Sequence, residues 1–347
     1  MSVIDVSIVL PVRNSQATLE ICLDALLAQR DVAMEIIAVD GGSTDDSAAI
    51  LDAAAARDPR LRVLHEQNRG VWAARNTAIA ASQGRYIGAC DADDIPQPGL
   101  YAALLARAES TGADMVVTPY RRIEIETGRV LAVEMTARSG AFVPADDPRG
   151  FACINTALWN KLIRGDALRE VVAAFNGDGL RFATNPRLME DMLVLAACLP
   201  WLGNVEFLDE PLYDYMVRRD ATMTTVRLDE LGALTDNLRT VRAWVAERGD
   251  GAKLQPVVDV LAFVHLGVSA LINLVQTSPS EASQYAKDLR VTLAADFPGY
   301  VGNSRDRDFG PTASARRRLA GALMLFRCHA LVPGLKVMGR LGGQGRW

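Results

Sequence analysis

Three carboxylates, Asp91, Asp93 and Asp94, stand at D-x-D-D spacing where the apolar run of GRYIGACDADDIP (84–96) ends. A short apolar run of this kind reads as a buried strand, and Pro96 and Pro98 stop it from continuing. Acids this close repel one another unless a positive group sits among them. A divalent Mg²⁺ or Mn²⁺ suits, because both take oxygen ligands and bridge to substrate phosphates. A solvated acidic loop is the plain alternative. Other polar groups also mark the ends of apolar runs. Asp40 closes MEIIAVD and precedes GGSTDD. Ser43 or Thr44 can cap the next helix, with Asp45 and Asp46 at its positive end. That leaves Asp40 over, and its carboxylate can accept hydrogen bonds from a base or ribose.

The remaining candidates each carry two readings. Arg69 and Arg75 in NRGVWAARN (68–76) are surface cations, or one of them faces a diphosphate, which favours guanidinium. Glu190 and Asp191 open an apolar helix whose dipole alone suits acids, and a carboxylate there can also act as a general base. Trp159-Asn160-Lys161-Leu162 reads as an amphipathic helix start. YDYMVRRDATMTT (213–225) reads as an edge strand followed by a turn carrying Arg218 and Arg219.

The elements that must position these residues alternate. β-rich runs cover Val6–Val12, Met34–Asp40, Leu61–His65, Tyr86–Cys90 and Asp114–Tyr120. Helical patterns lie between them at about Gln16–Gln29, Asp45–Arg57, Val71–Ser82 and Gly99–Ser110. This alternation predicts an α/β fold with a mostly parallel, Rossmann-like sheet flanked by helices. Ligands of such sheets collect at the carboxyl ends of the strands. Pro11-Val12-Arg13-Asn14, Asp40 and Asp91–Asp94 are therefore expected near one another. Residues Arg122–Met135 predict a hairpin turning at Gly128, and a loop-rich stretch follows from Ser139 to Gly150. From about Asp229 the pattern is helical. Val257–Val275 is nearly continuous apolar but interrupted by Asp259, His265, Ser269 and Asn273. A span needs ~20 mostly apolar residues, and the interruptions favour a buried or subunit-contacting helix.

Composition narrows the function classes. The 347 residues carry 37 basic and 42 acidic side chains, a net charge of −5, which gives no support to nucleic-acid binding. Seven cations and no acid fall between Pro311 and Trp347. Five cysteines lie singly in apolar surroundings, the pattern of reduced buried thiols and of the cytoplasm. Asp5 interrupts the first apolar stretch, so no signal peptide is expected. Three histidines far apart in sequence argue against zinc or a histidine-based nucleophile. Neither G-x-G-x-x-G after the first strand nor G-x-x-x-x-G-K-[ST] occurs, against dinucleotide oxidoreductases and P-loop NTPases.

In order, VSIVLPVRN (6–14), AVDGGSTDDS (38–47), NRGVWAARN, GRYIGACDADD, LWNKLI (158–163), MED (189–191) and YDYMVRRDATMTT resemble the family 2 glycosyltransferases over roughly residues 5–225. The resemblance implies a GT-A fold over 1–225, with 226–347 as a helical C-terminal region outside it. It implies inverting, metal-dependent transfer of a sugar from a nucleotide-diphosphate donor to an acceptor hydroxyl, in cell-surface or exopolysaccharide synthesis. Asp93 then coordinates Mn²⁺ or Mg²⁺, and Asp91 shares the metal or sits by the ribose. Asp191 is the base. Pro11, Arg13, Asp40 and Arg75 fall on the donor side, and Trp159, Asn160, Lys161, Glu190 and Arg218 on the substrate side.

Two positions depart from the family pattern. Gly41 stands where a second acid usually reads uracil, which weakens a UDP-sugar donor. Either Asp40 takes over the base, or the backbone near Pro11–Arg13 holds it. Met216 stands where many relatives carry Arg, and Arg218 or Arg219 can supply that charge. The absence of Gln-x-x-Arg-Trp argues against a processive synthase. The acceptor is expected to be a glycan or lipid-linked. The basic tail either lies on an anionic membrane at the cytoplasmic face or packs on its own domain; a homo-oligomer is also admitted. The competing reading is a nucleotide-sugar-binding partner subunit without catalysis. A nucleotidyltransferase is disfavoured, because no Gly-rich, cation-bearing phosphate loop follows the first strand.

Overall fold

The computed structural model describes residues 4–135, 140–152, 154–177, 179–182, 186, 188–217 and 226–300, and the account below concerns those. Arg218 and the basic stretch 311–347 lie outside the described residues. The chain forms two compact units. One comprises Met1–Val143, Thr156–Arg181 and Glu190–Ala221, and the other Pro144–Asn155, Phe182–Met189 and Thr222–Trp347.

In chain order the first unit contains β1 (Val6–Val12), α1 (Leu19–Leu27), β2 (Met34–Asp40), α2 (Ser47–Ala55), β3 (Leu61–His65) and α3 (Val71–Ala81). It continues through β4 (Tyr86–Ala89), β5 (Ile95–Pro96), α4 (Leu100–Thr111), β6 (Met115–Val117), β7 (Tyr120–Glu124), β8 (Val130–Glu134) and β9 (Ala141–Phe142). After α5 (Pro148–Ala152), which belongs to the second unit, come β10 (Lys161–Arg164), α6 (Gly165–Asn176), α7 (Glu190–Ala197), β11 (Val205–Phe207) and β12 (Tyr213–Val217).

Eight strands form the main sheet in the order β3-β2-β1-β4-β10-β6-β11-β9. Strands β1 and β2 are buried at every position, as their unbroken apolar runs require of central parallel strands. Their polar members are answered inside: the Ser7 hydroxyl and the Gln83 N–H donate to Glu35 Oε1 at 2.6 and 2.7 Å. Parallel pairing of β2, β1 and β4 aligns Val12 with Asp40 and Val9 with Ala89, so the marked strand ends sit side by side. The 122–135 stretch folds back as the β7–β8 hairpin, with Gly128 at φ 67 in its turn.

Three expectations change. Residues 161–164 form strand β10, antiparallel to β4 and β6, rather than a helix start. The Asp114–Tyr120 run breaks at Thr118-Pro119 into β6 and β7, which join different sheets. And β12 is no edge strand: it lies between β5 and β7 in a second, four-stranded sheet, β5-β12-β7-β8. Alternation along one strand cannot reveal which neighbours will flank it.

The described part of the second unit is helical: α5, α8 (Leu228–Ala246), α9 (Gly251–Ala262), a π-helical turn (Phe263–Ser269), α10 (Ala270–Thr277) and α11 (Pro279–Asp296). The run Gly251–Thr277 has a mean hydropathy of 2.0 over its most apolar window and is long enough to span a bilayer, yet 83% of that window is buried in protein. Its interrupting Asp259 is 1% exposed and held by Arg242 Nε at 2.6 Å and the Gly299 N–H at 2.7 Å. A buried carboxylate needs such partners.

Candidate functional site

The carboxyl ends of β1, β2 and β4, the first turn of α7 and the turn before β10 supply the candidate residues, all in the first unit. The centre is Arg75. Helix α3 starts after Gly70, which takes φ 89, and carries Arg75 on its buried face. Arg75 Nη1 bonds Asp191 Oδ1 and lies 3.6 Å from Glu190 Oε1, while Nη2 reaches Asp91 Oδ1 at 3.4 Å. Burial works against the guanidinium charge, but the carboxylates of Asp191, Asp91 and Glu190 outweigh it and raise its pKa. Arg69 is exposed and paired with Glu66, so of the two sequence candidates only Arg75 enters this cluster.

The acids sort by burial. Asp93 is exposed, and Asp91 keeps 32% of its side-chain surface open. Desolvation pushes Asp91 up to about 6, with Arg75 pulling down and Asp191, Asp93 and Glu190 pushing further up. Glu190 is likewise raised, first by burial and then by Asp191. The third acid of the D-x-D-D run is structural. Asp94 is 1% exposed, accepts the Tyr213 hydroxyl at 2.8 Å and the Met216 N–H at 2.8 Å, and is pushed well up by burial. Tyr213 also takes the Asp91 N–H on its hydroxyl oxygen at 3.3 Å, so it anchors the acidic loop from both ends.

Asp91, Glu190 and Asp191 thus share the Arg75 guanidinium, with Asp93 exposed beside Asp91, so among the described residues the acids at this site outnumber its cations. Asp91 and Asp93 fit Mg²⁺ or Mn²⁺, which bind one or two carboxylates and complete their shell with phosphate oxygens and water. Among the described residues no group of three or more His, Cys, Asp or Glu forms a closed protein cage.

Asp191 sits in the first turn of α7, entered through Met189 in a left-handed conformation (φ 57). Its Oδ2 accepts the Leu158 N–H at 3.1 Å. Each carboxylate oxygen holds a further lone pair for a hydroxyl. The Leu158 contact has no signature in local sequence. Trp159 is 6% exposed and stacks on Tyr213 and Tyr215, with centroids 4.7 and 5.2 Å apart. Asn160 and Lys161 are 0% and 1% exposed and bond to protein groups, so their geometry is that of supports rather than substrate contacts.

On the β1–β2 side Pro11 is buried and Arg13 exposed. Asp40, 5% exposed, accepts the Ser43 N–H at 3.1 Å. Ser43 and Thr44 do not cap α2, whose N-cap is Asp46. They tie to Asn14 instead: Ser43 Oγ accepts the Asn14 N–H and the Thr44 N–H donates to Asn14 Oδ1. Sequence reasoning passed over His65, which the β2–β3 register sets opposite Asp40. Its ring nitrogens lie 3.5 Å from Asp40 Oδ2 and 3.0 Å from Asp52 Oδ1.

The hydrogen bond to Asp52, against partial burial and with help from Asp40, raises the His65 pKa above 6.5. A raised histidine stabilises fully below its unfolded pKa, and that contribution is lost as pH rises through the folded one. Asp52→Asn is therefore expected to return His65 toward 6.5 in an NMR titration and to flatten the fall in stability above pH 6.5. An unmoved titration would remove Asp52 as the cause.

Residues 7–170 match the model of glycosyl transferase family 2. The chain is 34% identical over 221 residues to the uncharacterized glycosyltransferase EpsJ of Bacillus subtilis, covering 60% of each chain. It is 30% identical over 248 residues to the succinoglycan biosynthesis protein ExoU of Rhizobium meliloti, covering 69% of this chain and 70% of that one. The chain thus spans about 60% of the length of EpsJ. Among solved structures it is similar to S. aureus TarS 1-349 (TM-score 0.69, 16% identity, 99% of this chain and 93% of that one) and to the same protein in complex with UDP-GlcNAc (TM-score 0.68, 17% identity, the same coverage). That likeness identifies the fold as GT-A.

Proposed function

We propose that this chain, which belongs to the family 2 glycosyltransferases, moves a sugar from a nucleotide-diphosphate donor, a UDP-sugar, to an acceptor hydroxyl with inversion. The observation that carries the reading is the meeting of Asp91 and Asp191, 100 residues apart in sequence, on the single guanidinium of Arg75. Inversion by direct displacement needs one base behind the sugar and one stabiliser for the departing diphosphate, with no enzyme nucleophile.

Asp191 takes the role of base. Its carboxylate, oriented by Arg75 and the Leu158 N–H, accepts the proton of the attacking hydroxyl. Asp93 and Asp91 would hold Mn²⁺ or Mg²⁺, which as a Lewis acid offsets charge on the leaving diphosphate. Arg75 adds a fixed cation beside them. Asp40 and the backbone at Pro11–Arg13 lie at the neighbouring strand ends and take the nucleoside. Trp159 and Glu190 border the sugar and acceptor side.

The TarS complex with UDP-GlcNAc supports a UDP-sugar donor, and the name of ExoU, a succinoglycan biosynthesis protein, supports a role in polysaccharide assembly, where the acceptor would be a glycan or lipid-linked. The tail between Pro311 and Trp347, with its seven cations, suits contact with an anionic membrane at the cytoplasmic face.

The test is a thermal-shift series with UDP, GDP, ADP and CDP, each with and without Mn²⁺, followed by nucleotide release from the matching sugar donor. UDP with Mn²⁺ is expected to raise Tm most, the linkage adding roughly 2.7 kcal/mol of stability at 100 times Kd. Asp93→Ala is expected to abolish the Mn²⁺-dependent part. No response to any nucleotide would end the proposal. Binding without release across a broad acceptor panel would favour the non-catalytic partner subunit.

A further inference from the structure

Lys161 is a cation at the first position of an interior strand, 1% exposed between β4 and β6. Placing an ammonium there is costly, and burial pushes its pKa down to about 7, with Asp191 pulling it back up. Hydrophobic residues fill such positions without that cost, so the ammonium calls for a reason.

Its bonds supply one. Nζ donates to the Ala157 carbonyl at 2.7 Å and to Asn160 Oδ1 at 2.6 Å. The Ala157 carbonyl and the Leu158 N–H belong to the same peptide group, which is planar and rigid. That N–H is the donor to Asp191 Oδ2 at 3.1 Å. The ammonium therefore grips the oxygen end of the peptide whose nitrogen end holds the carboxylate. A cation on a peptide oxygen polarises the unit and strengthens its N–H as a donor. It also opposes a flip of the peptide plane, which would turn the Ala157 oxygen on Asp191. Other bonds keep this turn in place, among them Lys161 N–H to the Leu158 carbonyl at 3.3 Å, Asn160 Nδ2 to the Thr118 carbonyl at 2.9 Å, and Thr118 N–H to the Asn160 carbonyl at 3.0 Å.

We propose that Lys161 is a positioning residue for Asp191, acting through the Ala157–Leu158 peptide by an ammonium–carbonyl–amide–carboxylate chain. The role rests on Asp191 being the base of the proposed transfer, while the geometry it asserts does not. Lys161 is buried and spends its ammonium on protein oxygens. It sets the direction in which the carboxylate lone pairs point.

The test uses the full chain with Lys161→Met and Lys161→Gln. Methionine fills the buried space without a donor, whereas glutamine keeps an N–H for the Ala157 carbonyl. With UDP-GlcNAc and Mn²⁺ as the probe, and water as acceptor, Lys161→Met is expected to lower kcat of UDP release about 10- to 100-fold. Donor KM and the UDP thermal shift should stay within about twofold, since nothing on the nucleotide side has moved. Lys161→Gln is expected to recover most of kcat, which a merely structural role for the ammonium would not predict.

Hydrogen exchange at the Leu158 amide gives a second readout independent of turnover. It should quicken roughly tenfold in Lys161→Met as the bond to Asp191 loosens, and hold in Lys161→Gln. Parental kcat and parental exchange in a folded Lys161→Met protein would overturn the proposal. So would a rise in donor KM in place of the loss in kcat. If the methionine variant does not fold, a folded glutamine variant with fast Leu158 exchange overturns it, and one with parental exchange sustains it. Absence of UDP release from the parent counts against the transferase reading alone, because the exchange measurement still decides the role of Lys161.

Discussion

Asp191→Asn is expected to lower sugar transfer by about 10³-fold, within the usual range for loss of a general base, while UDP still binds. Asparagine keeps the shape of the side chain but cannot take a proton. Its surroundings also discriminate. In the parent both carboxylate oxygens face donors, Arg75 Nη1 on one side and the Leu158 N–H on the other. An amide offers only one oxygen, so its NH₂ must meet one of these donors head-on. Leaving a buried donor without its acceptor costs about 1–3 kcal/mol. The variant is therefore expected to be somewhat less stable as well as inactive, and the two effects are separated by measuring denaturation and nucleotide-dependent thermal shift on the same sample. Parental turnover in pure, folded Asp191→Asn would dismiss Asp191 as the base.

The second large effect belongs to Arg75. Substituting methionine leaves Asp91, Glu190 and Asp191 facing one another without the guanidinium they share. Removing one member of a buried ion cluster costs about 3–5 kcal/mol. The three carboxylates are 32%, 21% and 17% exposed, so water screens part of the repulsion and the lower end of that range applies. For a chain of this size that is roughly a 4 °C fall in Tm. The loss should shrink in millimolar Mn²⁺, as a second cation replaces the first.

The same loss should also shrink as pH falls. Asp91 is pushed up to about 6 by burial and by its acidic neighbours, against the pull of Arg75. A raised carboxyl loses stability as pH climbs through its folded value, because the unfolded chain gives up the proton more readily. Without Arg75 this proton is held to still higher pH, so the variant approaches the parent in stability toward pH 5 and diverges above it. Equal Tm for parent and Arg75→Met in metal-free buffer at pH 7.5 would show that the guanidinium does not hold the cluster together.

Much of the frame was readable in one dimension. The unbroken apolar runs of β1 and β2 and the helical repeats between them depend on local pattern alone, and each formed where its period placed it. The abrupt ends of those runs at Val12, Asp40 and Cys90 fall side by side at one edge of the sheet for the same reason. A parallel sheet brings its strand ends together whatever the loops contain.

What tertiary structure decided is which polar group faces what. Asp93 and Asp94 are neighbours in sequence, yet one is exposed and the other is locked under Tyr213 and Met216, more than 110 residues away. Arg75 had no local feature separating it from Arg69 except the partners it meets. Residues 159–162 misled because four residues are too few to set a period, and the pairing of β10 between β4 and β6 overrode any helical tendency. Lys161 is the sharpest case. In sequence it is one charge in an apolar run; in the fold it grips the far end of the peptide that holds Asp191. A charge reveals its purpose only when its acceptors are known, and those are set by the packing of strands that sequence spacing leaves unordered.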